Sequence, residues 1–514
     1  MKTLKHFFFL ITFCCIAANG VWAYNNGCGN DGPDDDCQDD VGSNPINPHR
    51  ACIRREVTDL STFGNAPITF TRYFISRYRT FTQAKWEMGA ANVWQHNWNF
   101  EMRESSLSSF GFKNLIVRYP RGREYVFSAV DQSGSVRVPS ADWGDRLYVS
   151  QNTFTLITPQ GEEYVFQKLG ANFYQLQQIK NGQGFVWSLE YDGNNRLMKI
   201  KNNFNRWLAI DRETVDNVVR IKRVYSNDGR EVTYHYSVWD PSGDAILTEV
   251  HYPAGEKAIY HYVGRLNEKE GDPILASASD PTYRGNGAKI RYVYNYNANY
   301  EPYGFVAGIV LEERNLETDQ LIITLPGGSG DYPQILEGNG SEVTRKYDKG
   351  QLKESWDAEG RKKIFMRTAG GYGYVETVTA PNGGVTSFQR DYAGRILVKT
   401  NPLGGQQSAS YNAKGFITSE KDELGHVTTY ERDANNFLLK QTYPNGSFEQ
   451  WTYNADGQPL TYRQRNGAVF TYTYYNDNEM GGMKGDLKTE TNPYGDVTTY
   501  THDAAGNVKT FTDA

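Results

Sequence analysis

The chain is poor in the residues that would mark a disulfide scaffold, a membrane protein or a nucleic-acid binder. Its 514 residues include 5 cysteines and 7 methionines, and the formal net charge is only −6. Beyond the first residues no apolar run approaches the ~20 positions that a spanning helix needs, so no membrane span is expected in the mature chain. No extended apolar pattern of period 3.6 occurs, which argues against a helical architecture. Basic clusters are missing too. With Lys2, Lys5 and the six aspartates between Asp31 and Asp40 set aside, 52 basic residues face 54 acidic ones, and no nucleic-acid partner is expected.

What is plentiful points to strands and turns. Tyrosine occurs 36 times and glycine 50 times, and aromatic residues make up 14% of the chain, a balance that suits a turn-rich β protein. The glycines are not scattered. Gly383, Gly404, Gly425, Gly446 and Gly467 follow one another at 21-residue steps, and a second series interleaves 11 residues later at Gly394, Gly415, Asn436, Gly457 and Asn478. Both series use residues that tolerate positive φ. The segments between them, such as Phe448-Glu-Gln-Trp-Thr-Tyr453, are rich in Thr, Tyr, Phe and Trp. Each unit therefore reads as a β-hairpin. Both series resume at Gly495 and Gly506 after steps of 28, so one seven-residue insertion near Glu479 to Gly485 is expected to form a longer loop on one rim.

The wording of the units resembles a known family. Tyr347-Asp348, Tyr411-Asn412-Ala-Lys-Gly415, Tyr453-Asn454-Ala-Asp-Gly457 and His502-Asp503-Ala-Ala-Gly506 are similar to the tyrosine-aspartate (YD) repeats of the RHS family, and Asn401-Pro-Leu-Gly404 and Asn492-Pro-Tyr-Gly495 fit its linkers. The resemblance implies an all-β fold: tandem hairpins coiled into a curved or spiral β-sheet shell, with a small β N-terminal module. Thr71 to Arg77 and Val93 to Asn99 resemble the module that precedes the repeats in exported members. Asn44-Pro keeps the family's opening but lacks the Thr-Gly step that usually follows.

The expected organisation runs in five parts. Residues 1–23 form a secretory signal cleaved after Ala23, with Lys2 and Lys5 before the apolar run Phe7 to Ala18. Residues 24–47 are an acidic, cysteine-containing linker, solvated or, less expectedly, wrapped around calcium. Residues 48–104 are the β module, 105–344 are degenerate hairpins, and 345–514 are regular repeats that end in mid-unit. An oxidising compartment favours one bridge among Cys28, Cys37 and Cys52; Cys28 with Cys37 closes the shortest loop, and three pairings stay open.

The search for chemistry yields a surface and no catalytic set. Eight histidines show no metal or triad spacing. His96 between Trp94 and Trp98 reads as packing, with a sugar-stacking patch as the alternative. Pro326-Gly-Gly-Ser-Gly-Asp331 lacks the ending of a phosphate loop. Glu162-Glu163 and Glu312-Glu313 are strand neighbours that point to opposite faces. Phe388, Tyr430 and Trp451 occupy the same place in their units and are expected to form an aromatic ladder or a glycan contact. No cofactor is expected. The expected function is an exported structural shell or scaffold, the N-terminal part or a truncated relative of a toxin-carrying protein of contact-dependent competition. Its partner would be a C-terminal toxin cargo encoded elsewhere or lost. The alternative is a cell-surface or wall-associated module that binds surface glycan. Reactions are not expected.

Overall fold

The computed structural model describes residues 46–47, most of 52–75, 87–88 and most of 94–513, with the longest omissions between residues 265 and 350. The signal, the part of the acidic linker before residue 46 with Cys28 and Cys37, and Pro326 to Asp331 lie outside the described residues, and β1 falls at the end of the segment assigned to the linker. Every regular element described is a strand, numbered β1 to β40 in chain order. A small antiparallel sheet comes first, in the order β1 (Ile46–Asn47), β2 (Cys52–Ser61), β3 (Thr69–Ile75) and β4 (Trp94–His96). From β5 (Glu101–Leu107) to β40 (Val508–Thr512) each strand pairs antiparallel with its neighbour in sequence, so the chain is one long ribbon of hairpins. The ribbon opens inside the 48–104 segment assigned to the module.

Local chemistry explains why the ribbon turns where it does. At the turn after Tyr411, the side-chain oxygen of Asn412 accepts from the amides of Lys414 and Phe416 at 3.0 Å each, and the Gly415 amide donates to the Asn412 carbonyl at 3.0 Å. Gly415 then sits at φ +86°. This is a type I turn closed by a left-handed residue, which inserts a bulge and strengthens the strand twist. Asp433 repeats the arrangement with Asn435 and Phe437, and there Asn436 takes the left-handed place at φ +64°. The aspartate or asparagine of each motif is thus the acceptor that shapes the turn.

The tyrosine of the motif closes a different gap. β34 (Leu438–Thr442) pairs with β35 (Phe448–Tyr453) only at Lys440, Gln441 and Thr442, which leaves Leu438 beyond the ladder. The Tyr453 hydroxyl donates to the Leu438 carbonyl at 2.9 Å. The same bond, always to the residue fifteen positions back, joins Tyr236 to Ile221, Tyr262 to Leu247, Tyr411 to Ile396 and Tyr474 to Pro459. Where the tyrosine is replaced, a donor of similar reach takes over: Arg432 to Ile417 at 3.3 Å and His502 to Leu487 at 2.8 Å. A carbonyl left unpaired in a half-buried wall would cost roughly 1–3 kcal/mol, which gives each unit a reason to keep a long donor there.

The ribbon coils. Its first strand lies beside β12 (Phe173–Lys180), where the Tyr174 hydroxyl donates to Glu104 at 2.9 Å across 70 residues. A wider coil follows, and its edge returns to the first: Asn436 Nδ2 donates to the Gly182 carbonyl at 3.0 Å, 254 residues away. The hairpins of that circuit present their turns on two rims. One rim docks on the earlier coil; on the other, a Cβ added at Gly383, Gly404, Gly446 or Gly495 would meet open space.

The small sheet fills the early coil. Phe70, Phe74 and Trp94 share one buried cluster with wall residues from Leu115 to Ile290, many of them fully buried. Beyond residue 345 the wall changes character. Strands there show half-buried and exposed residues in alternation, and the cluster of Trp451, Tyr462 and Tyr472 is small.

Candidate functional site

Three places join parts of the chain that sequence alone keeps far apart. The first is where the module meets the wall. Arg72 lies on β3 between Phe70 and Phe74 on the same face, and all three are sealed from solvent. Its Nη2 donates to Asp59 at 2.9 Å and to the Tyr260 hydroxyl at 3.1 Å. Asp59 also accepts from Tyr234 at 2.8 Å and from Tyr252 at 3.1 Å. Two charges in a dry interior are tolerable only when paired and hydrogen-bonded, and three wall phenols supply the additional bonds. Trp94 Nε1 donates to Tyr262 at 2.8 Å beside them.

A second pair lies close by. Arg212 of the wall donates to Glu87 at 3.0 Å, and His96 stands 3.9 Å from the same carboxylate. Burial would raise the Glu87 carboxyl, but the imidazole and the guanidinium outweigh it and hold it at about 2. His96 itself is buried, with its ring 5.1 Å from that of Phe70, so it packs and offers no face to a sugar.

The third place is the seam between coils, and the insertion lies on it. Asp486 pairs with Arg206, and both side chains are buried. Lys484 donates to the Asn203 carbonyl at 3.2 Å, and Asn227 donates to the Met483 sulfur at 3.3 Å. The loop thus grips the earlier coil. Arg206 also lies against Gly64 and Gly506: a Cβ on either would come within 2.9 Å of its guanidinium. Further along, a Cβ on Gly415 would stand 2.0 Å from the Pro159 carbonyl oxygen.

The turn residues named from the sequence all adopt positive φ: Gly383, Gly394, Gly404, Gly415, Gly425, Gly446, Gly457, Gly467, Gly495 and Gly506. The aromatic row differs from the expectation. Trp451 is buried and Phe388 and Tyr430 are half-buried, but Ala409 holds the place between the last two. Trp451 instead stacks on Tyr462 of the adjacent strand at 5.3 Å, and Tyr462 on Phe470 at 6.3 Å. Units 21 residues apart are two strands apart, roughly 9.5 Å, which is beyond ring contact.

Sequence reading passed over Asp59, Arg72, Arg206 and Asp486. Arg72 carried a signal, since a charge on the apolar side of an alternating strand announces a buried partner. Arg206 and Asp486 carried none.

Comparison with known proteins bears on the repeats directly: residues 411–447 match the RHS repeat family. Residues 411–447 form an RHS repeat. The matched stretch is one whose turns and tyrosine bonds are described above. The ribbon is also similar to solved structures. The Photorhabdus luminescens Tc holotoxin pore with a mutated TccC3 shares 12% identity at TM-score 0.36, covering 90% of this chain and 24% of that one. A TcdB2-TccC3-TEV structure shares 12% at TM-score 0.39, again over 90% and 24%. The N-terminal domain of effector protein SpvB from Salmonella typhimurium shares 9% at TM-score 0.14, over 59% of this chain and 98% of that one. The chain thus spans about a quarter of the two Tc chains. Among curated proteins no match is found. Among the described residues no helix is long and apolar enough to cross a membrane, and no group of three or more ligating side chains could hold a metal.

Proposed function

We propose that this RHS ribbon is the wall of an exported shell that surrounds a polypeptide cargo, a toxin by the family's example, and does no chemistry of its own. The observation that carries the reading is the seam: a wall whose rim docks on its own earlier coil across 254 residues would separate an inside from an outside. The packing of the module against the early coil supports it, because a coil filled in this way would be stopped at one end. Containment also suits the wall's energetics. Each hairpin is marginal alone and is held by its neighbours and by the seam, so the sheet needs no second layer. The row of rings favours structure over glycan binding, since Trp451 is spent on packing.

Cryo-electron microscopy of the exported protein tests this. A coiled wall around low density, closed at the end that bears residues 52–75, is the expected image. A solid sandwich without a lumen contradicts the reading.

A further inference from the structure

Within the seam, one kind of rim receives another. On the early coil the turns at 158–162, 181–185 and 202–206 receive the later coil. At the last of these, Asn202 Oδ1 accepts from the amides of Phe204 and Arg206 at 3.0 Å each, and the Phe204 side chain at the tip is only 1% exposed. It lies against Gly485 of the inserted loop, and its ring stands 5.9 Å from that of Phe185. Pro159, at the position before the tip of its own turn, has its carbonyl facing Gly415.

The later coil carries the same turns on its other rim, and there they face solvent. Asn401 Oδ1 accepts from Leu403 and Gly405 at 2.9 Å each, Asp422 Oδ1 from Leu424 and His426 at 2.9 Å each, and Asn492 Oδ1 from Tyr494 and Asp496 at 2.9 and 3.0 Å. Leu403, Leu424 and Tyr494 thus hold the place of Phe204, yet they are 96%, 82% and 91% exposed. Pro402 and Pro493 hold the place of Pro159 and are exposed as well. Adjacent turns are two strands apart, roughly 9.5 Å, so Leu403 and Leu424 form one apolar edge of the kind that marks a contact surface. The complementary rim is exposed too, on the far side of the early coil. Asp192 Oδ1 accepts from Asn194 and Arg196 at 2.9 and 2.8 Å, as Asp433 accepts from Asn435 and Phe437 in a turn that docks. Ala171 and Asn194 are exposed on neighbouring turns of that rim.

We infer that the solvent-facing rim of the later coil binds the far rim of the early coil of a second copy, head to tail, repeating between chains the seam that joins the two coils of one chain. A second copy is the occupant that fits, because one chain bears both halves of the contact and a rim of each kind is already engaged within it. Such a contact is heterologous: the two partners use different patches, and each pair leaves one patch of each kind free, so copies add in a row. Row formation goes beyond containment and does not rest on it, since it requires the seam and no lumen.

Sedimentation velocity of the purified full-length protein at rising concentration tests this. Species larger than a monomer are expected to grow with concentration. Leu403→Asp with Leu424→Asp, both at exposed tips whose burial the fold does not need, should raise the concentration required for association about tenfold or more. Met480→Asp, as exposed as Leu403 but on the inserted loop of the other rim, should change nothing. Ala171→Arg with Asn194→Arg should weaken association as the leucine changes do. Each double variant keeps the rim that the other has lost, so an equal mixture of the two should pair and stop at the dimer. A chain that stays monomeric at every concentration, association undiminished by the two leucine changes, or a mixture that fails to pair overturns the inference. A lumen without association sinks the head-to-tail contact and spares containment; association through these rims without a lumen does the reverse.

Discussion

Arg206 and Asp486 stand 280 residues apart in sequence and form an ion pair whose side chains are 2% and 3% exposed. Arg206 leaves a turn of the early coil, and Asp486 ends the loop inserted into the later one. The insertion that breaks the period of the repeat is thereby given a task, because it delivers a carboxylate to the seam. Asp486 also accepts from its own loop's Met483 amide at 2.9 Å, so the loop is shaped for the contact.

Removing one partner should cost more than removing both. Asp486→Ala leaves a buried guanidinium without its counter-charge and should lower stability to urea by about 3–5 kcal/mol. The double variant Arg206→Met with Asp486→Leu should recover most of that loss. Equal losses in the two would show that the pair does not hold the seam.

Two turn glycines with nearly the same backbone should respond differently. Gly404 and Gly415 have φ of +87° and +86°, yet a Cβ on Gly404 meets nothing while one on Gly415 meets the Pro159 backbone. Gly404→Ala should cost about 1–2 kcal/mol, the left-handed penalty alone. Gly415→Ala should cost clearly more and raise hydrogen exchange near residues 158–162. Similar behaviour of both would place residue 415 away from the seam.

Tyr453→Phe keeps the ring and removes only the donor to Leu438. A loss of about 1–3 kcal/mol is expected, with faster exchange in β34 and β35. His502→Phe should do the same to the bond with Leu487.

Acid should loosen the module. The Glu87 carboxyl is held at about 2 against an ordinary 4.5. A depressed carboxyl stabilises the folded state fully above the ordinary value, and that contribution is lost as pH falls through the folded one. Urea stability should therefore decline between about pH 4.5 and pH 2 by on the order of 3 kcal/mol more in the parent than in Glu87→Gln. Parallel pH profiles would contradict the pairing with Arg212.

Much of the wall was legible because every hairpin must place a left-handed residue at its turn, and glycine or asparagine betrays it. Asn436 and Asn478 are as informative here as the glycines, with φ of +64° and +66°. His502 in a tyrosine's place was legible too, and it makes the tyrosine's bond. The seam was not legible. Its partners are set by the circumference of the coil, which is a sum of many small strand twists, and no local pattern announces that residue 182 will meet residue 436. The ladder of Phe388, Tyr430 and Trp451 was misjudged for a related reason, since equal places in the repeat are separated by an intervening strand.

The coiling itself can be tested by one covalent bond. A Cβ on Gly184 would lie 3.9 Å from the Cβ of Asn435, a spacing that suits a disulfide. The variant carrying Gly184→Cys and Asn435→Cys should, after mild oxidation, yield the linked peptide by mass spectrometry from monomeric protein. Monomer in which residues 184 and 435 remain unlinked, or linked only between two chains, would contradict a ribbon that winds back upon its own edge.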